Sequence, residues 1–247
     1  MGDAPPALPD YVLDADAVLK DTEAAWRHGR VPNYSKTRDY YEQTKTMTHE
    51  AGSLPDLVEK LVKNWEIEAS FKTSLADWRT IDQKTYSFSL NGGPPQSGEH
   101  MLKVGTYNAL LTASSYYDPA HNDFETSHKA FKRMMPTFAW EVKEVYSGPP
   151  TVVFKWRHWG VMANDYVGYN DRGEKVRVKA HGGLIDIQGI VIAKVNDKLE
   201  LERIDVWYDP MDMFRQIARE NAEAVADTAS AAGGCPFSGA AKTSSSE

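Results

Sequence analysis

A chain of 247 residues with 28 basic and 35 acidic side chains, a net charge of −7 and one cysteine excludes several classes at once. That balance offers no electrostatic footprint for a nucleic-acid backbone or an anionic membrane surface. A single cysteine permits neither an internal disulfide nor a cysteine-cluster zinc site.

No apolar run approaches the ~18 residues of a membrane helix, and Met1 to Asp10 lacks the basic and apolar regions of a signal peptide, so a cytoplasmic protein is expected. Apolar residues at 41% and aromatics at 11% can furnish both a core and an aromatic cavity.

A helix is predicted over 14–28, stopped by Gly29 and Pro32. Residues 33–52 read as a wrapping segment with one helical turn. Ser53 stands where an N-cap belongs, and Leu54, Leu57, Val58, Leu61, Val62 and Trp65 follow at helical spacing, giving an amphipathic helix to Phe71. Alternation over 84–90 predicts a strand, ended by the Asn91-Gly92-Gly93 turn. Ser97 caps a second helix running to Thr112, and a short one follows over 126–135. Four strands come next, over 138–146, from Thr151, over 175–195 and over 198–208, joined by turns short enough for antiparallel pairing. Asp209 and Pro210 open a last helix, to Ala224. Helices first and strands after give an α+β fold, one strongly bent antiparallel sheet with helices closing its concave face as a cone. The domain is placed at 53–224, with residues 1–52 as an N-terminal extension and 225–247 as a flexible tail.

The stretch TVVFKWRHWG, Thr151 to Gly160, is where function is sought. Val152, Phe154, Trp156 and His158 share one strand face, which turns from hydrocarbon to a side chain that titrates near neutrality. His158 is read as a proton-transfer group at a pocket wall, or as a core histidine with both ring nitrogens satisfied. Asp205 shares parity with Arg203 and Trp207, so it faces the cone or forms a surface pair with Arg203. Tyr107, Trp140, Trp156 and Trp207 are the candidate pocket walls. The histidines show no H-E-x-x-H spacing, so no metal is expected. Cys235-Pro236-Phe237 matches a short haem-binding motif and leaves haem as an alternative to a site without cofactor.

WRHG with PNY, SLPDLVEKLVKNWEIE, VGTYNALL, FAWEVKEVYSGPP, VVFKWRHWG, GEKV and VWYDP resemble the plant and fungal pathogen-related proteins, a branch of the SnoaL-like group in the NTF2-like superfamily. The resemblance spans roughly residues 20 to 217. It implies the same cone, a small-molecule ligand and a homodimer through the outer sheet face. It also implies metal-free acid/base chemistry of the cyclase, isomerase or dehydratase type, with Asp205 or Asp209 near the catalytic carboxylate. Asp209 has a competing role as helix cap. Two functions follow: an acid/base enzyme acting on an apolar or aromatic metabolite, or a defence or stress protein that binds such a ligand without turnover.

Overall fold

In the computed structural model, which describes residues 7–219 and the pair 225–226, an N-terminal arm carries α1 (Asp10–Leu13), a 3-10 turn (Ala17–Lys20) and α2 (Ser35–Thr44). It leads into α3 (Leu54–Phe71), the helix the rest is packed around. The single helix expected over 14–28 is replaced by this broken arm. Asn64 of α3 accepts from the Val18 N–H at 3.0 Å and donates to the Tyr11 and Asp14 carbonyls at 2.9 and 2.7 Å. Backbone groups that a helix would have paired internally are thus satisfied by α3. α2, at ten residues, is longer than the one turn expected.

The C-terminal end of α3 holds a buried ionic knot. Glu68 and Lys72, both fully buried, meet at 2.9 Å. Lys72 Nζ also donates to Asp21 at 2.7 Å and to the Asp77 carbonyl at 2.7 Å. Glu68 accepts from the Arg79 and Thr80 N–H groups at 2.8 and 3.0 Å and from the Thr80 hydroxyl at 2.6 Å. Every donor of the ammonium has an acceptor, which is what makes a buried charge tolerable.

The strands in chain order are β1 (Ser87–Leu90), β2 (Gln96–Ser97), β3 (Ala139–Ser147), β4 (Thr151–Val161), β5 (Tyr166–Tyr169), β6 (Lys175–Val178), β7 (Leu184–Val195), β8 (Leu201–Trp207) and β9 (Val225–Ala226). Six of them form a sheet ordered β2-β1-β8-β7-β4-β3, and β5, β6 and β9 form a smaller one. The main sheet is antiparallel except that β1 runs parallel to β8. The chain between these two strands makes the long crossover that parallel neighbours require. The single strand expected over 175–195 is two, β6 and β7, in different sheets, parted where Gly182 adopts a φ of +66°.

The helices between β2 and β3 are α4 (Gly98–Val104), α5 (Thr106–Leu110) and α6 (Phe124–Met134). The expected helix over 97–112 breaks between α4 and α5 at Gly105, whose φ is +87° and where a Cβ would lie 2.8 Å from the Phe124 ring. Ser97 does cap α4, accepting from the His100 N–H at 3.2 Å. α7 (Pro210–Ile217) follows β8, and Asp209 caps it through the Met211 N–H at 2.9 Å.

α3, α5 and α7 lie over the concave face of the bent sheet, and α2 covers part of the convex face, burying Trp159 against Tyr41. This is the α+β cone. The tail is read as starting at 225. Val225 and Ala226 pair with β6, and the rest of the tail, with Cys235, lies outside the described residues. No described helix is long and apolar enough to cross a membrane.

Candidate functional site

Strand parity places the site. Val152, Phe154, Trp156 and His158 of β4 all line an inner chamber of about 140 Å³, walled across from them by Val58, Leu61 and Trp65 of α3. From β8 the side chains that reach this chamber are Leu201, Ile204 and Val206, with Tyr208 just beyond the strand. The polar atoms of two of its walls are already spent, because the Trp65 indole donates to Tyr86 at 3.0 Å and the Tyr208 hydroxyl to the Leu110 carbonyl at 2.5 Å. The Trp156 indole N–H is buried without an acceptor. Its ring edge lies over Gly189, where a Cβ would come within 2.5 Å, so glycine is required opposite Trp156 on β7.

A second chamber of about 130 Å³ adjoins the first as a vestibule. Trp65, Tyr107, Phe138, Trp140 and His158 line both, so His158 stands at their junction. The vestibule adds Tyr34, Arg38, Lys63, Glu66 and Lys132. Glu66 accepts from the Tyr34 hydroxyl at 2.7 Å, from Ser70 at 3.1 Å and from Lys132 at 3.3 Å. About a third of each of the Glu66 and Lys132 side chains remains exposed.

Burial pushes the Glu66 carboxyl up, but the Lys132 charge and the hydrogen bonds from Tyr34 and Ser70 outweigh it and hold it below its ordinary value. Burial raises the Tyr107 phenol, which therefore stays a donor. His158 packs on Phe138 with ring centroids 3.4 Å apart. Desolvation drives its pKa from 6.5 down to about 3, against the opposing charge of Glu66. The ring is neutral at physiological pH, an N–H donor rather than a charge.

Four sequence candidates, Tyr107, Trp140, Trp156 and His158, therefore come together in the chamber walls. Asp205 and Trp207 do not, and their assignment to the site is corrected. Ile204, Val206 and Tyr208 take the inward positions of β8, so Asp205, Arg203 and Trp207 face outward. There Asp205 pairs with Arg203 at 2.7 Å and accepts from Ser89, while Trp207 is 46% exposed. The carboxylate that does reach the site, Glu66, is absent from the sequence reading. Its position beside Trp65 and four residues after Val62 was the available signal, since i and i+4 share a helix face. Lys132 and Tyr34 were likewise unmarked. Among the described residues no group of three or more His, Cys, Asp or Glu is placed to hold a metal ion.

A second desolvated histidine lies nearby. His128 is enclosed by Phe71, Tyr107 and Phe124, and burial lowers its pKa from 6.5 to about 4. In the unfolded chain both rings take a proton near pH 6.5, whereas in the fold neither does until pH 4 or below. Protons therefore bind the unfolded state preferentially, and stability is lost as pH falls from about 6.5 towards 4. The urea midpoint is expected to drop between pH 7 and pH 5, with a shallower drop for His128→Phe. An unchanged slope in that variant would show that His128 is not the group responsible.

No protein-family model matches the chain. A curated protein from Hordeum vulgare, "Pathogen-related protein", is 30% identical over 224 residues, which is 87% of this chain and 89% of that one. Solved structures similar to this chain include a candidate SnoaL-like polyketide cyclase from Jannaschia Sp. CCS1, at 12% identity and a TM-score of 0.36, covering 69% of this chain and 99% of that one. Another is IdmH, a candidate polyketide cyclase from Streptomyces antibioticus, at 12% identity and a TM-score of 0.40, covering 67% and 99%.

Proposed function

The chain belongs to the pathogen-related protein family, and from that membership together with the two joined chambers we propose that it is a metal-independent acid/base enzyme acting on a small, largely apolar carbonyl compound. The observation that carries this reading is that Glu66 is the one carboxylate among the described residues lining either chamber, and that it shares the vestibule with His158.

In this reading the apolar body of the substrate fills the inner chamber and its carbonyl rests at the junction. Glu66 takes a proton from the carbon next to the carbonyl. The C–H electron pair moves to form the enolate, whose oxygen accepts from the neutral His158 N–H and the Tyr107 hydroxyl. Lys132 and Tyr34 keep Glu66 ionised and oriented. Returning the proton to a different atom, or attack of the enolate carbon on a second carbonyl, gives isomerase or cyclase outcomes from one intermediate.

A neutral imidazole is the right partner for this step. With a pKa of about 3 it stays uncharged throughout the neutral range and donates without carrying a charge that would have to be buried. The test is deuterium incorporation next to the carbonyl of phenylacetone in D2O, followed by proton NMR. The wild-type protein is expected to exchange it faster than buffer, and His158→Gln to lose about a hundredfold of that rate as one donor to the oxyanion is misplaced. The hydrocarbon walls of the inner chamber favour a second reading, binding without turnover. Absence of exchange from a protein that still quenches its tryptophans on adding phenylacetone would decide for that reading.

A further inference from the structure

The volume of the inner chamber limits what can enter it. A dry apolar cavity of about 150 Å³ accepts benzene, so a chamber of about 140 Å³ takes one six-membered ring and neither a fused ring system nor a long chain. Its walls are rich in rings, Trp65, Phe88, Phe154 and Trp156 among them, and such walls pair best with another aromatic ring. The Trp156 indole N–H, which has no acceptor, is also tolerated better by aromatic than by saturated carbon. The buried end of the ligand is therefore a single aryl ring.

The vestibule, at about 130 Å³, sets the other end. Three cationic side chains, Arg38, Lys63 and Lys132, line it against the single carboxylate of Glu66. Lys63 is committed to Glu59 at 2.7 Å. Lys132 makes one bond among the described residues, the 3.3 Å contact to Glu66, which leaves its other donors for a ligand. Arg38 engages Asp16 and the Ala15 carbonyl through Nε and Nη2 and keeps Nη1. Both cations border the Tyr34 ring, Arg38 at 5.4 Å and Lys132 at 5.5 Å from its centroid. The Tyr107 hydroxyl and the His158 N–H serve the carbonyl oxygen in the proposed function. An anion in the vestibule therefore falls to Lys132, with Arg38 adding charge from alongside.

The contact between Lys132 and Glu66 then fixes where that anion sits on the ligand. Glu66 must reach the carbon next to the carbonyl, and the ammonium lies 3.3 Å from Glu66, so the carboxylate is within a bond or two of the same carbonyl. Attachment on the far side of the carbonyl leaves the C–H open to Glu66. We infer that the substrate is a 3-aryl-2-oxopropanoate, with its ring in the inner chamber, its carbonyl oxygen at His158 and its carboxylate on Lys132. The inference rests on the acid/base reading of the two chambers and names the substrate class within it. The proton that Glu66 removes is then activated by both the ring and the carbonyl. Its C–H electron pair becomes a C=C bond conjugated with the ring, and the carbonyl pair moves onto oxygen. Lys132 offsets the second negative charge that this step creates beside the carboxylate.

The experiment is isothermal titration calorimetry of 3-phenylpropanoate, which keeps the spacing from ring to carboxylate and has no carbonyl to react, with the full chain. It is expected to bind at least about tenfold more tightly than 3-phenylpropanamide. The acid 3-(2-naphthyl)propanoate should bind at least about tenfold more weakly than the phenyl acid, because its second ring overpacks the chamber. In the Glu66→Gln background, where no unpaired carboxylate repels the ligand, Lys132→Met should erase the preference for acid over amide. Lys132→Arg in the same background should retain it, which separates loss of the charge from loss of the fold.

Equal affinity for acid and amide, or a naphthyl acid that binds as tightly as the phenyl acid, would overturn the assignment. So would failure of 3-phenylpropanoate to bind. The two readings fail separately. Acid selectivity without phenylacetone exchange sinks the acid/base step and leaves the ligand class standing, and exchange by a protein indifferent to the carboxylate does the reverse.

Discussion

Lys72→Met is expected to cost about 3–5 kcal/mol of folding stability, or a drop in thermal midpoint of roughly 10 °C for a domain of this size. The ammonium lies fully buried between Glu68 and Asp21, and its removal strands a buried carboxylate opposite a methyl group. The N-terminal arm loses one of the two cations that hold Asp21 in the same stroke, leaving Arg79. Pairing the change with Glu68→Gln should recover part of the loss, since the amide oxygen can still accept from the Thr80 N–H. Differential scanning calorimetry on the single and double variants measures both. A single-variant loss below 1 kcal/mol would show that water or a neighbouring cation replaces the ammonium.

Glu66→Gln is expected to bring phenylacetone exchange down by about 10²–10⁴, to the buffer rate, while leaving the fold in place. Gln keeps one oxygen that can accept from Tyr34 or Ser70, so part of the local bonding survives while the basicity and the ion pair with Lys132 go. The pH profile of the wild type carries the sign. Glu66 titrates below its ordinary value and His158 only near pH 3, so both are in the working state throughout the neutral range. The rate should be level from about pH 5.5 to 8 and fall only in the carboxylate range. An inflection near pH 6.5 would move the proton transfer to a histidine, and a Gln variant that exchanges at the wild-type rate would return the cavity to binding alone.

The parity of β4 was legible in the sequence because every second residue from Val152 is apolar until His158, and the sheet preserves that alternation. α3 was legible for the same reason at helical period. The N-terminal arm was not, because its helix-forming residues are overruled by distant partners: the side chain of Asn64 and the charge of Lys72 decide the backbone there. For Asp205, parity gives two faces and nothing in β8 itself says which is inner; that is set by the register of β8 against β7, Ile204 opposite Ala193. Glu66 was hidden by the apolar stripe it borders. A carboxylate one residue past Trp65 reads as the start of the solvent face, and only the placement of α6, which brings Lys132 to it, turns that face into a chamber. The break at Gly105 and the glycine under Trp156 depend on rings, Phe124 and the Trp156 indole itself, that arrive from other elements.

The parallel pairing of β1 with β8 sets the order in which this chain can fold. The bond between Ser89 and Asp205 closes a loop of 116 residues, and β1 has only the two-residue β2 on its other edge. During synthesis the arm, α3 and β1 emerge long before β8 exists to receive them, so the N-terminal third waits without the strand it pairs with. Pairings of such separation must bear their loop-closure entropy before any contact rewards it, which slows refolding relative to a helical protein of equal size. Until β8 docks, the hydrocarbon wall of the chamber is open to solvent.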